Sequence, residues 1–142
     1  MAGFTANNVV AELERRPETL SQVLQVKDFA GTGELADRLA KGYGGRLKAT
    51  QLRRLFHTIK DIERGLPRED RGLTTKEMGE ILPLLPELAY ARGRDLIPQD
   101  FYELMRACMG AGKLKTVADF RRLTRFLEAI LGYHKYYEKG GK

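Results

Sequence analysis

The chain has 142 residues, 42% hydrophobic and 31% charged, with a formal charge of +6. That length and apolar share suit a single domain with its own core, and the basic excess favours an anionic partner such as nucleic acid or an acidic protein. The lone cysteine, Cys108, excludes an intrachain disulfide and fits a reducing compartment.

The first sixteen residues, "MAGFTANNVVAELERR", lack a basic region followed by a long apolar block, so no secretory signal is expected. "TLSQVLQV" puts Leu20, Val23 and Leu24 on one stripe, with Thr19 as a cap. "TGELADRLAKGYGG" opens at Thr32 as N-cap, places Leu35 and Leu39 on one side, and stops at the Gly44-Gly45 pair. A longer helix runs from Ala49 to Arg64. Its Leu52, Leu55, Phe56, Ile59 and Ile62 follow the i, i+3, i+4 pattern, and Gly65 ends it.

After the polar loop "LPREDRG", "TTKE" offers a capping box between Thr74 and Glu77. That helix runs to about Leu82, where Pro83 breaks it. Pro86 is tolerated in the first turn of a new short helix. This helix is expected to bury Leu85, Leu88 and Ala89 and to end at Gly93, with Arg92 in its last turn and Arg94 just beyond. The run 81–91 is too short to span a bilayer and contains Glu87. "IPQDFYELMRACMGAG" starts at Pro98 and stops at Gly110 to Gly112. The last helix is the longest. Thr116 caps it, and Val117, Phe120, Leu123, Leu127, Ile130 and Leu131 form its apolar stripe. The chain carries no internal repeat and no clear strand. The expected fold is all-α: a compact bundle of about five or six helices over residues 1–142, with residues 1–18 and 138–142 flexible.

Catalytic patterns are absent. The sequence has no phosphate loop with its lysine, no GxGxxG after a strand and no GxSxG. His57 and His134 are far apart, Cys108 stands alone on an amphipathic helix, and no metal-ligand set or cofactor motif emerges. Each of these residues reads better as a structural or surface group than as part of a site. A non-enzymatic, cytoplasmic protein without metal, cofactor or membrane contact is therefore expected.

The basic residues fall in clusters. Arg53, His57, Lys60 and Arg64 share one face of their helix, with Arg54 beside them. Arg121, Arg122 and Arg125 crowd little more than a turn. Arg92 with Arg94, and Arg46 with Lys48, make two further groups. Rows of cations on rigid helices can meet successive phosphates, each contact releasing a counterion. The same rows also fit a plain solvated face. The "GYHKYYEKGG" tail has two readings as well. Its tyrosines can stack bases, or Tyr133 and Tyr137, one turn apart, can close the core or a subunit interface.

Three stretches, "KATQLRRLFHTIKDI" (48–62), "ILPLLPELAYARGR" (81–94) and "FLEAILGYHKYY" (126–137), resemble the small subunit of type III-A CRISPR effector complexes, the Csm type. Their order and spacing agree, and the resemblance covers about two thirds of the chain. Glu87 stands where a lysine usually follows the proline, and Pro83 is an additional helix breaker. The resemblance implies a small all-helical subunit without catalysis of its own, working in antiviral defence. Copies self-associate head-to-tail in a filament beside the backbone subunits and the large subunit. They contact target RNA and the guide–target duplex through the backbone. Carried onto this chain, the resemblance marks Arg53 of "QLR" and Arg94 of "AYARGR" for RNA contact. Lys48, Arg54, Lys60, Arg92, Arg121, Arg122 and Arg125 are added by clustering alone. The competing expectation is a helical structural adaptor that docks other proteins without touching RNA.

Overall fold

The structure, a computed structural model, describes residues 3–110 and 112–140. Among them are nine α-helices: α1 (Val9–Arg15), α2 (Leu20–Val23), α3 (Val26–Phe29), α4 (Leu35–Tyr43), α5 (Ala49–Arg64), α6 (Thr75–Ile81), α7 (Leu84–Gly93), α8 (Gln99–Met109) and α9 (Val117–Glu138). The five longest, α4, α5, α7, α8 and α9, all coincide with helices expected from the sequence, and the short ones raise the number above the five or six expected. Extended pairing among the described residues is limited to one isolated bridge, Gly72 with Thr116. The fold is all-α. Residues 141–142 of the expected flexible tail, and residues 1–2, lie outside the described residues.

Helix α9, 22 residues long and so about 33 Å from end to end, forms the axis. Helices α2, α3, α4 and α5 pack on it, while α1 and α7 pack on α8. Phe120, Leu123, Phe126, Leu127 and Ile130 of α9 have no exposed surface. Phe126 meets Phe29 of α3 edge-on at 5.1 Å. The α8 group joins the axis group through an edge contact between Phe101 and Tyr43 of α4, at 5.4 Å. A fully buried side chain of this size contributes about 1.5–3 kcal/mol.

The predicted capping box at Thr74 forms, and Thr116, expected only as a cap, forms a second box with Asp119. The amide of Glu77 donates to Thr74 Oγ1 at 3.1 Å and the amide of Thr74 to the Glu77 carboxylate at 2.9 Å. The ion pair with Arg71, together with the Thr74 amide, holds the Glu77 pKa down at about 2. At the head of α9, Thr116 accepts from the amide of Asp119 at 3.3 Å and the Thr116 amide donates back to Asp119 at 2.9 Å.

Two expectations shift. The helix after Gly33 begins at Leu35 rather than beside Thr32, because Gly33 turns left-handed (φ 81°) and donates its amide to Asp37 Oδ2 at 2.7 Å. In α7 the buried set is Leu84, Leu88 and Ala91, with Leu85 half-buried and Ala89 exposed. The helix starts directly after Pro83, so its inward stripe runs 84, 88, 91. Pro86 takes the third helical position, where no amide hydrogen is required.

Asp119 is fully buried. Its carboxylate accepts the Ser21 amide (2.9 Å) and hydroxyl (2.6 Å), and the amides of Lys115 (3.0 Å) and Thr116. Burial opposes its ionisation, but the hydrogen bonds from Ser21 and Lys115 outweigh that and hold its pKa below the ordinary value. Cys108 is buried too, and burial pushes its thiol up to about 12. Lys113 is also buried, donating to the carbonyls of Arg16 (2.7 Å) and Glu18 (2.9 Å), which fastens the segment after α1 to the α8–α9 turn.

Asp119→Asn is expected to cost about 2 kcal/mol at pH 7 by leaving buried donors mismatched. Because the folded pKa is depressed, the carboxylate stabilises the fold above the unfolded pKa of about 4, and that contribution disappears as pH falls through the lower folded value. Urea unfolding should therefore show the gap between wild type and variant closing as the pH drops below about 4. A gap that stays constant would refute the assignment.

Candidate nucleic-acid interface

The candidate surface is built on α5, which lies along the outside of the axis helix. It buries only Leu52 and Ile59 completely; Leu55, Phe56 and Ile62 are half-buried. The remaining ridge, including Thr50, Arg53, Arg54 and His57, faces solvent. Lys48 sits at the N-cap. Its amide donates to the Leu96 carbonyl at 3.1 Å, fixing the start of α5 against the loop after α7, and its side chain stays exposed.

The structure divides the nine candidate cations in two. Lys48, Arg53, Arg54, Arg94 and Arg125 are exposed, and among the described residues none has a carboxylate partner. Arg94, just past the end of α7, lies beside the Tyr90 ring with its guanidinium carbon 5.8 Å from the centroid, and donates to the Tyr90 hydroxyl at 3.3 Å. The other four bind within the molecule. Lys60 pairs with Glu63 at 3.3 Å. Arg92 pairs with Asp95 at 2.9 Å and donates to Gln99 at 3.0 Å. Arg121 donates to the Pro67 carbonyl at 2.5 Å. Arg122 donates to the carbonyls of Ser21 (3.1 Å) and Leu24, bridging α9 to α2.

Arg53 and Arg94 do not share a groove. Consecutive residues on a helix point about 100° apart, so Arg53 and Arg54 serve opposite flanks of α5. Arg53 faces α9 across a trough that also contains Phe56, Leu131, Lys135 and the acidic Glu128 and Glu138. Arg54 faces α7 in a groove of about 590 Å³, shared with Arg94, Tyr90, Gln51 and one carboxylate, Glu87. Tyr90, 66% exposed, was not among the residues singled out from sequence. Its position four residues before Arg94 is the spacing that places two side chains on one helical edge.

His134 is buried, with Nε2 2.9 Å from the Gly44 carbonyl. His57 is exposed against the Phe56 ring. Among the described residues no group of three or more His, Cys, Asp or Glu side chains could hold a metal ion. No helix among them is long and apolar enough to cross a membrane.

The family model described as Csm2 Type III-A matches residues 26–140, a span that takes in α3 to α9 and all three motif stretches. The chain belongs to that family. It is accordingly a small subunit of a type III-A CRISPR effector complex, and the other subunits of that complex are its partners. The matched span contains α5, α7 and α9, the helices that carry the exposed cations. No curated protein and no solved structure gave a significant match.

The two arginine classes should separate in stability measurements. Arg122→Ala leaves two carbonyls without their charged donor and is expected to cost about 2 kcal/mol. Arg125→Ala, one turn further along the same helix, should change stability by less than about 0.5 kcal/mol. Equal losses on thermal or urea unfolding would contradict this division.

Proposed function

We propose that this small subunit lines the groove in which guide and target RNA pair, gripping the sugar–phosphate backbone without reading bases. It performs no catalytic step and acts in the cytoplasm, in antiviral defence. Its neighbours are the backbone subunits, the large subunit and further copies stacked head-to-tail. The observation that carries this reading is the band of exposed cations around α5. Lys48 stands at its N-cap, Arg53 on one flank, and Arg54 with Arg94 on the other, none of them neutralised by a carboxylate among the described residues. Arg125, exposed on α9, extends the charge. A subunit that must accept any guide has to use phosphate and sugar contacts, because base edges carry the sequence information.

Arg54 and Arg94 form the stronger pair, since they face one groove with a single carboxylate. Changing both to Ala should reduce the magnitude of the log–log salt slope for single-stranded RNA by about 1.4, two contacts at about 0.7 each. Affinity should fall by the same factor for unrelated RNA sequences. Binding that ignores salt, or losses that depend on sequence, would overturn the proposal. The measurement belongs in the assembled complex as well as the isolated subunit, because many weak sites act together there.

A second reading is a structural adaptor without RNA contact. The intramolecular bonds of Lys60, Arg92, Arg121 and Arg122 favour it, since they use those cations for the fold. In that case the double variant assembles normally and target RNA crosslinks to the complex without touching this subunit.

A further inference from the structure

Away from the α5 band, the end of α9 faces the α3–α4 region across a trough of about 580 Å³ lined by Tyr133, Tyr136, Tyr137 and Asp37. Each tyrosine is held differently. Tyr133 donates its hydroxyl to the Ala30 carbonyl at 2.7 Å, and Tyr137 donates to Asp37 Oδ1. Tyr136 stands with 49% of its surface exposed, its ring edge-on to Tyr137 at 5.2 Å. The hydroxyls of Tyr133 and Tyr137 thus point into the fold, and their rings form the wall.

The charge is the informative feature. In a chain with a formal charge of +6, this trough is lined by one carboxylate and by no lysine or arginine. Asp37 is 6% exposed and accepts the Gly33 amide on its other oxygen. A carboxylate has about four lone-pair positions, so these two donors leave it spare acceptor capacity. Aromatic faces are electron-rich and attract cations, more strongly when several rings and a desolvated anion act together. Lys41 already lies against the Tyr137 ring at 6.0 Å, outside the trough. The same features disfavour a phosphate, which a carboxylate repels.

We propose that this tyrosine trough receives an arginine side chain presented by a neighbouring protein subunit. A guanidinium is planar, stacks on aromatic faces and sheds water more readily than an ammonium. At about 580 Å³ the trough has room for such a head group, and half of Tyr136 is open to solvent, which suits a side chain entering from another surface. Chemical complementarity with a basic surface is thereby offered by a protein that is itself basic.

The test uses the full-length chain and NMR of its tyrosine rings. N-acetyl-arginine methylamide should shift the ring signals of Tyr133 and Tyr136 in the millimolar range. The isosteric, uncharged citrulline derivative should bind about fivefold or more weakly, the cation–π contribution having gone. Tyr136→Ala should weaken arginine binding by a similar factor, and Tyr136→Phe should restore it. Asp37→Asn should also weaken it; if that variant fails to fold, the Tyr136 pair still decides. In the assembled complex, a photo-crosslinking residue substituted for Tyr136 should attach to an arginine-containing peptide of a neighbouring subunit. Equal binding of the citrulline derivative, preference for spermidine or adenosine monophosphate, or attachment to RNA would each overturn the proposal. None of these outcomes depends on Arg54 or Arg94, so the RNA reading stands or falls separately.

Discussion

Burial of one long helix face is the constraint on which the rest of this molecule depends. Helix α9 supplies the surface that α2, α3, α4 and α5 cover. Its head is fixed by a buried carboxylate. Asp119 gathers the amides and hydroxyl of α2 and the α8–α9 turn around a single charge. Unpaired, that charge would be expensive to bury. Surrounded by donors, it orients two elements nearly a hundred residues apart in sequence. The α5 band inherits its geometry from this arrangement, because α5 sits on α9 and cannot rotate without exposing Leu52 and Ile59.

The arginines show how one residue type does two jobs. Arg121 and Arg122 on α9, and Arg92 on α7, point at carbonyls and carboxylates of their own chain. Arg53, Arg54 and Arg94 make no ion pair among the described residues and remain in solvent. A guanidinium suits both tasks: its five donors satisfy several carbonyls at once, or grip a phosphate from two sides. Asp95 marks the boundary. It occupies the left-handed region (φ 59°) and pairs with Arg92 at the surface, while Arg94 is left without an acidic partner.

Much of this was legible before any coordinates. The capping box at Thr74, the cap at Thr116, the stop at Gly65 and the break at Pro83 all rest on interactions within four residues, which sequence displays directly. The apolar stripe of α9 is equally plain. What was hidden involves distance. Nothing near Arg122 announces that the carbonyls of Ser21 and Leu24 will meet it, and Arg92 and Arg94 look equivalent until Asp95 is seen to choose one. The family resemblance singled out Arg53 with Arg94, but the 100° step between Arg53 and Arg54 sends them to opposite grooves. The tyrosines resolve an open alternative in part. Tyr133 and Tyr137 anchor α9 to residues about a hundred positions earlier, whereas Tyr136 stays at the surface. One short motif therefore holds both packing and accessible residues.

The placement of the axis helix has a consequence for biogenesis. Residues 117–138 are the last helix of the described chain, yet they complete the apolar surroundings of helices that begin near residue 20. During synthesis α2 to α5 emerge without their principal partner, and Lys113, which fastens the segment behind α1, emerges only shortly before it. The greasy faces of those early helices stay uncovered until α9 itself has emerged. Closure therefore waits for α9, and the nascent chain is most aggregation-prone while that helix is missing.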